Sequence, residues 1–176
     1  MNWNRSKIAL GLVLAVACLV SAGYAAAPDT KDQSNAALAF DKLKSLVGQW
    51  EATTDKGKIT TTYELVGGGS ALLERVNIAG QGEMPTVYYL DGNRLVLTHY
   101  CSAGNQPTLQ AERFDPASNE LRFRFVSATN LANANAGHMH DAVFKLAGPD
   151  QFTADWTWQE NGKEAFHVVV QNHRVR

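Results

Sequence analysis

The sequence predicts an all-β fold, an antiparallel up-and-down β-barrel of about ten strands behind one N-terminal helix. Three observations predict it. From Gly48 to the C-terminus, short segments of alternating apolar and polar residues follow one another, and no second helical periodicity interrupts them. Compact turns rich in Gly, Asn, Asp and Pro separate the segments. So many consecutive strands would leave two exposed sheet edges, which closure into a barrel removes.

Residues 1–25 read as a secretory signal peptide. Arg5 and Lys7 lead, an apolar run extends from Ile8 to Val20, and small residues follow, with Gly23 and Ala25 placed for cleavage after Ala25. The run is shorter than the ~20 apolar residues of a spanning helix, so no stable membrane span is expected after cleavage. A lipoprotein modified at Cys18 is the rival pattern. Ala15 stands where a larger aliphatic is usual, and Leu19 and Val20 continue the apolar run, which favours simple export, to the periplasm of a bacterium.

Of the 16 basic residues, Arg5 and Lys7 leave with the signal, so 14 face 17 acidic ones at a formal charge of −3. That balance gives no electrostatic case for a nucleic-acid partner. Cys101 is then the single cysteine, and no internal disulfide can form in a compartment that permits them.

Residues 26–33 form a polar linker, and residues 34–176 the barrel domain. The domain opens with an amphipathic helix: Ala36, Ala37, Phe40, Leu43 and Val47 fall at helical spacing, with Ser34 as N-cap and Gly48 as stop. Ten strands are expected to begin near Gly48, Lys58, Ser70, Met84, Arg94, Thr108, Glu120, His138, Gln151 and Lys163. The connections after the second, fourth, sixth and eighth are tight turns, starting at Gly67, Asp91, Asp115 and Ala147. Ile78 to Pro85, Ser102 to Pro107 and Ser127 to Gly137 are longer. Alternate turns of such a barrel lie at opposite ends, so one end is closed and the other is a mouth ringed by loops.

Gly48-Gln-Trp50, after a short helix and at the start of the first strand, resembles the Gly-x-Trp signature of the calycin superfamily, which includes the lipocalins and the fatty-acid-binding and nitrobindin-like barrels. The resemblance implies that Trp50 packs against an arginine of the last strand, Arg174, and plugs the closed end. Ten strands suit the fatty-acid-binding and nitrobindin-like branches, and the segments from Leu97 onward are similar to uncharacterised bacterial lipocalin-like proteins.

Alternation assigns inner faces. The fifth segment turns Leu95, Leu97, His99 and Cys101 inward; the seventh Leu121, Phe123, Phe125 and Ser127; the eighth His138, His140, Ala142, Phe144 and Leu146; the ninth Phe152, Ala154, Trp156 and Trp158. On the tenth, Phe166, Val168 and Val170 are expected inside and His167 outside. Strand direction then brings His99, Cys101, Phe125, His138, His140, Trp156 and Trp158 to the inner mouth, as candidate ligand-binding residues.

Three functions fit. The first is a carrier or sensor for a small, largely apolar molecule, without chemistry. The second is a metal or haem protein: His99, His138 and His140, with Cys101, have nitrogen and sulfur donors suited to zinc or copper, while the nitrobindin-like resemblance implies His167 as a haem ligand. The third is a structural or interaction barrel whose large inner aromatics fill the lumen. Cys101 beside His99 also allows nucleophilic catalysis in principle, but a buried cysteine is more often a small hydrophobe. An inward Arg113 would suit a ligand carboxylate, against the simpler reading of Glu112 and Arg113 as an exposed pair.

Overall fold

The computed structural model describes residues 30–55, 57–112 and 114–176, with side chains from Asn35 onward. The expected signal peptide, Cys18 and the start of the linker lie outside the described residues, as does Arg113. Among the described residues no helix is long and apolar enough to cross a membrane.

Helix α1 (Thr30–Lys44) precedes ten strands: β1 (Gly48–Thr54), β2 (Gly57–Val66), β3 (Ala71–Ile78), β4 (Gly82–Asp91), β5 (Arg94–His99), β6 (Gln106–Ala111), β7 (Glu120–Thr129), β8 (His138–Lys145), β9 (Gln151–Glu160) and β10 (Lys163–Arg174). Each pairs antiparallel with its sequence neighbour, and β10 returns to β1, so the sheet closes into a barrel. The fold is the all-β barrel with one helix that the alternation predicts, and every strand begins within two residues of its expected start.

Four local expectations are corrected. The helix starts at Thr30 rather than at Ser34, because Lys31, Asp32 and Gln33 have adequate helix propensity and nothing in them breaks the turn. Val47 is 41% exposed and Leu46 is buried in its place. The chain leaves the helix after Lys44 through tight turns, Ser45 N to Lys42 O and Leu46 N to Leu43 O, which advance the helical phase. The stretch Ile78 to Pro85 is no long loop: β3 and β4 pair as far as Ile78↔Gly82, with Pro85 opposite Arg75 inside the ladder. Ser127 is exposed, because a register shift between Thr108 and Leu109 leaves Val126 bulged and reverses the alternation beyond Phe125.

The lower half of the barrel is solid. Leu72, Tyr88, Leu95, Leu97, Leu109, Leu121, Phe123 and Phe144 are essentially inaccessible, and α1 adds Ala39, Phe40 and Leu43 to the same core. Asn35 fixes the helix by accepting from Phe114 N and donating to Phe114 O, both at 2.8 Å. The expected Trp50–Arg174 contact is present. Trp50 Nε1 donates to Leu46 O at 2.6 Å, and the Arg174 guanidinium lies over the indole, 4.2 Å from its centroid. Arg174 also donates to the carbonyls of Pro149, Val47 and Ser45, each at 2.8 Å. Gly48 has φ +130°, and a β-carbon there would sit 2.8 Å from the arginine, so both backbone conformation and space require glycine.

That clamp sits on the shortest ladder in the barrel. β1 and β10 pair only at Trp50↔Arg174 and Glu51↔His173, whereas β10 pairs with β9 from Lys163 to His173. Arg174→Lys is expected to lower stability by ~2 kcal/mol, because an ammonium cannot reproduce three forked carbonyl bonds and a flat stack on tryptophan. Urea unfolding followed by tryptophan emission measures it.

Candidate functional site: a cavity at the mouth of the barrel

The upper half of the barrel is hollow. A cavity of about 570 Å³ lies between the mouth-side ends of β1 to β5 and β8 to β10. Its walls are largely apolar: Val76 and Ile78 from β3, Met84 from β4, Met139 from β8, Trp156 and Trp158 from β9, Val168 and Val170 from β10. Cys101, Ser102 and Ala103 line it from the β5–β6 loop, and Thr54 and Asp55 from the β1–β2 hairpin. Both faces of β10 near Val169 reach the cavity, because β1 leaves that edge of the strand unpaired.

The floor is polar and fully buried. Glu74 stands on β3, two residues from Leu72 and two from Val76, and so shares their inward face. Tyr63 donates to its Oε1 at 2.9 Å and Tyr88 to its Oε2 at 2.5 Å, and the Thr86 hydroxyl stands close enough to favour the charged carboxylate as well. Burial raises the Glu74 carboxyl above the usual carboxylate range, against the three hydroxyls, which pull it down. Burial first, and Glu74 second, push both tyrosines well above their ordinary value. Thr86 Oγ1 lies 2.9 Å from His99 Nδ1, which extends the network to β5. His99 stacks at a tilt on Trp156, with ring centroids 5.2 Å apart, and burial lowers its pKa to about 4, so the ring is neutral.

The expected mouth residues separate into two groups. His99, Cys101, Trp156 and Trp158 line the cavity; Phe125, His138 and His140 do not. The cause is a bulge in β8 at His140: Met139 pairs with Trp158 and takes its place on the inner wall, while His138 pairs with Gln159 on the opposite parity. His138 and His140 instead stack on Phe125, at 4.6 and 4.9 Å between centroids, and approach each other at 3.2 Å. His99 therefore does not join them as a metal triad, and among the described residues no three His, Cys, Asp or Glu side chains are grouped to hold a metal ion. His167 lies on the outer face of β10, its Nδ1 3.1 Å from Asp155, and borders the cavity only along the unpaired edge of that strand. Its inner neighbour Phe166 is 47% exposed at the rim, stacked on Trp158 with centroids 5.8 Å apart.

Trp158 is held from its other side by Gly137, where a β-carbon would fall 2.4 Å from the indole. Asn105 Nδ2 donates to Gly137 O at 2.9 Å and so ties the β5–β6 loop to the β7–β8 loop beside the tryptophan. Sequence reasoning overlooked Glu74 and its three hydroxyl partners. Alternation along Leu72, Glu74 and Val76 was the signal that would have found the carboxylate.

Fold and site together define a closed β-barrel with an internal, polar-floored cavity. No protein-family model and no curated protein sequence matches the chain. Among solved structures, a protein of unknown function from the DUF3598 family of Nostoc punctiforme is similar at a TM-score of 0.42 and 13% identity. The match covers 76% of this chain and 48% of that one, so the chain spans about half of that protein's length.

His99 gives the site a pH signature. A folded-state pKa of about 4 against an ordinary 6.5 means that the unfolded chain binds the proton more tightly, so stability is full above 6.5 and falls as pH drops toward 4. The loss attributable to this residue is ~3 kcal/mol. His99→Phe is expected to show a shallower decline than the wild type between pH 7 and pH 4, as measured by urea midpoints.

Proposed function

We propose that the protein is an exported carrier or sensor that holds one small, largely apolar molecule in the mouth cavity and performs no chemistry on it. The observation that carries this reading is the cavity itself, about 570 Å³ of space with apolar walls over a few fixed polar groups. That volume and that lining are typical of small-molecule sites. The solid lower half supports the reading, because a barrel built only to be filled has no use for a void of this size above a finished core.

Export rests on Arg5, Lys7 and the run from Ile8 to Val20, with the periplasm as destination. Membership of a calycin-like lineage rests on Gly48, Trp50 and Arg174, whose contacts have the character that the lipocalin-like resemblance implies. His138 and His140 bond each other, His138 also bonds the Ala136 carbonyl, and both rings pack on Phe125, which favours a packing role over metal or haem ligation.

A neutral apolar dye is expected to bind with saturable, one-to-one fluorescence enhancement. Trp158→Ala weakens it about tenfold by removing a wall of the cavity. Val168→Trp abolishes it by filling the space, and Phe125→Ala leaves it unchanged. Fluorescence titration of the three variants checks the set, and a dye that binds the Val168→Trp variant as well as the wild type rejects the cavity as the site.

A further inference from the structure

The floor of the cavity specifies the headgroup of its occupant. A threonine hydroxyl has one proton to give, and the neighbouring Glu74 carboxylate, which can only accept, draws the Thr86 proton toward itself. Its oxygen then faces His99 Nδ1, 2.9 Å away, as an acceptor, and on that assignment Nδ1 carries the ring proton. Burial keeps the imidazole neutral, with its pKa lowered to about 4, so Nε2 holds a bare lone pair. This Nε2 is buried and has no hydrogen-bond partner, and His99 is the one cavity-lining side chain with such an atom among the described residues. Buried acceptors are ordinarily satisfied, and an orphan is an invitation to a donor.

The charges of the lining point the same way. Glu74 and Asp55 contribute carboxylates, and among the described residues no lysine or arginine lines the cavity. A ligand carboxylate would enter a poorly solvated chamber beside Glu74 without a counter-ion, which disfavours it.

We propose that the ligand presents a neutral hydroxyl to His99 Nε2, and is thus an apolar alcohol or phenol and not a fatty acid. This rests on the reading of the cavity as a ligand site. The relay Tyr63/Tyr88–Glu74–Thr86–His99 holds the imidazole in the tautomer that accepts from the ligand, and Trp156 fixes the ring from one side.

The test is displacement of N-phenylnaphthylamine from the full exported chain at neutral pH by four probes of matched size: decanol, its isomer methyl nonyl ether, decanoate and decylamine. Decanol is expected to displace the dye about tenfold more tightly than the ether, which lacks only the donor and partitions more readily out of water. Decanoate and decylamine are expected to be weaker than decanol. In His99→Phe the decanol-to-ether ratio is expected to collapse toward one, the ratio being taken within the variant so that any change in its dye affinity cancels. Equal displacement by decanol and ether in the wild type overturns the hydroxyl assignment but leaves the cavity intact as a site. Tightest binding by decanoate overturns it in favour of an anionic headgroup, and tightest binding by decylamine in favour of a cation paired with Glu74. A wild type that neither binds the dye nor responds to any of the four overturns the cavity reading itself. The wild-type ranking decides the matter even if His99→Phe fails to fold.

Discussion

Everything in this barrel hangs on the contact between Arg174 and Trp50. An up-and-down sheet closes only if its first and last strands meet, and here they share two residue pairs. The guanidinium makes up the deficit by bonding to backbone carbonyls from the helix-to-strand turn and from the β8–β9 connection while stacking on the indole. Because Ser45 and Val47 belong to the segment leaving α1, the same side chain also fixes the helix under the closed end. One residue thus joins first strand, last strand and helix, and Gly48 is the clearance that lets it in.

Above that closure the interior divides by chemistry. Leucines and phenylalanines make the lower half a buried apolar core. At the level of Tyr63 and Tyr88 the filling becomes polar, and a carboxylate is buried with enough donors to be tolerated there. A network of this kind is a poor way to gain stability, since hydrophobic side chains of similar volume would serve at least as well. Its position, forming the boundary between packed core and open cavity, is better matched to presenting fixed dipoles to something above it.

The sequence made the architecture readable because the two periodicities are clean. Helical spacing stops at Gly48, alternation begins there, and the turns carry the residues that turns need. Arg174 and Trp50 were accessible through a motif and through strand direction together. The site was readable only where alternation runs unbroken, as it does from Leu95 to His99 and from Phe152 to Trp158. On β8 one bulged residue at His140 moved Met139 onto the wall and took both histidines off it. Nothing in His138-Met-His140 announces a bulge, which arises from pairing with β9. Glu74 was legible in principle and went unread, because a charged residue between leucines and a valine looks like an exposed position until its partners on β2 and β4 are known.

The short ladder between β1 and β10 has a mechanical consequence. Beyond Glu51↔His173 the two strands run on without shared rungs, while every other strand boundary in the barrel has more of them. The cylinder is therefore a split cuff, clasped at its base and slit toward its rim. Spreading the rim at that slit breaks no backbone ladder, so side-chain contacts alone hold the girth of the chamber there while the clasp below keeps the barrel shut.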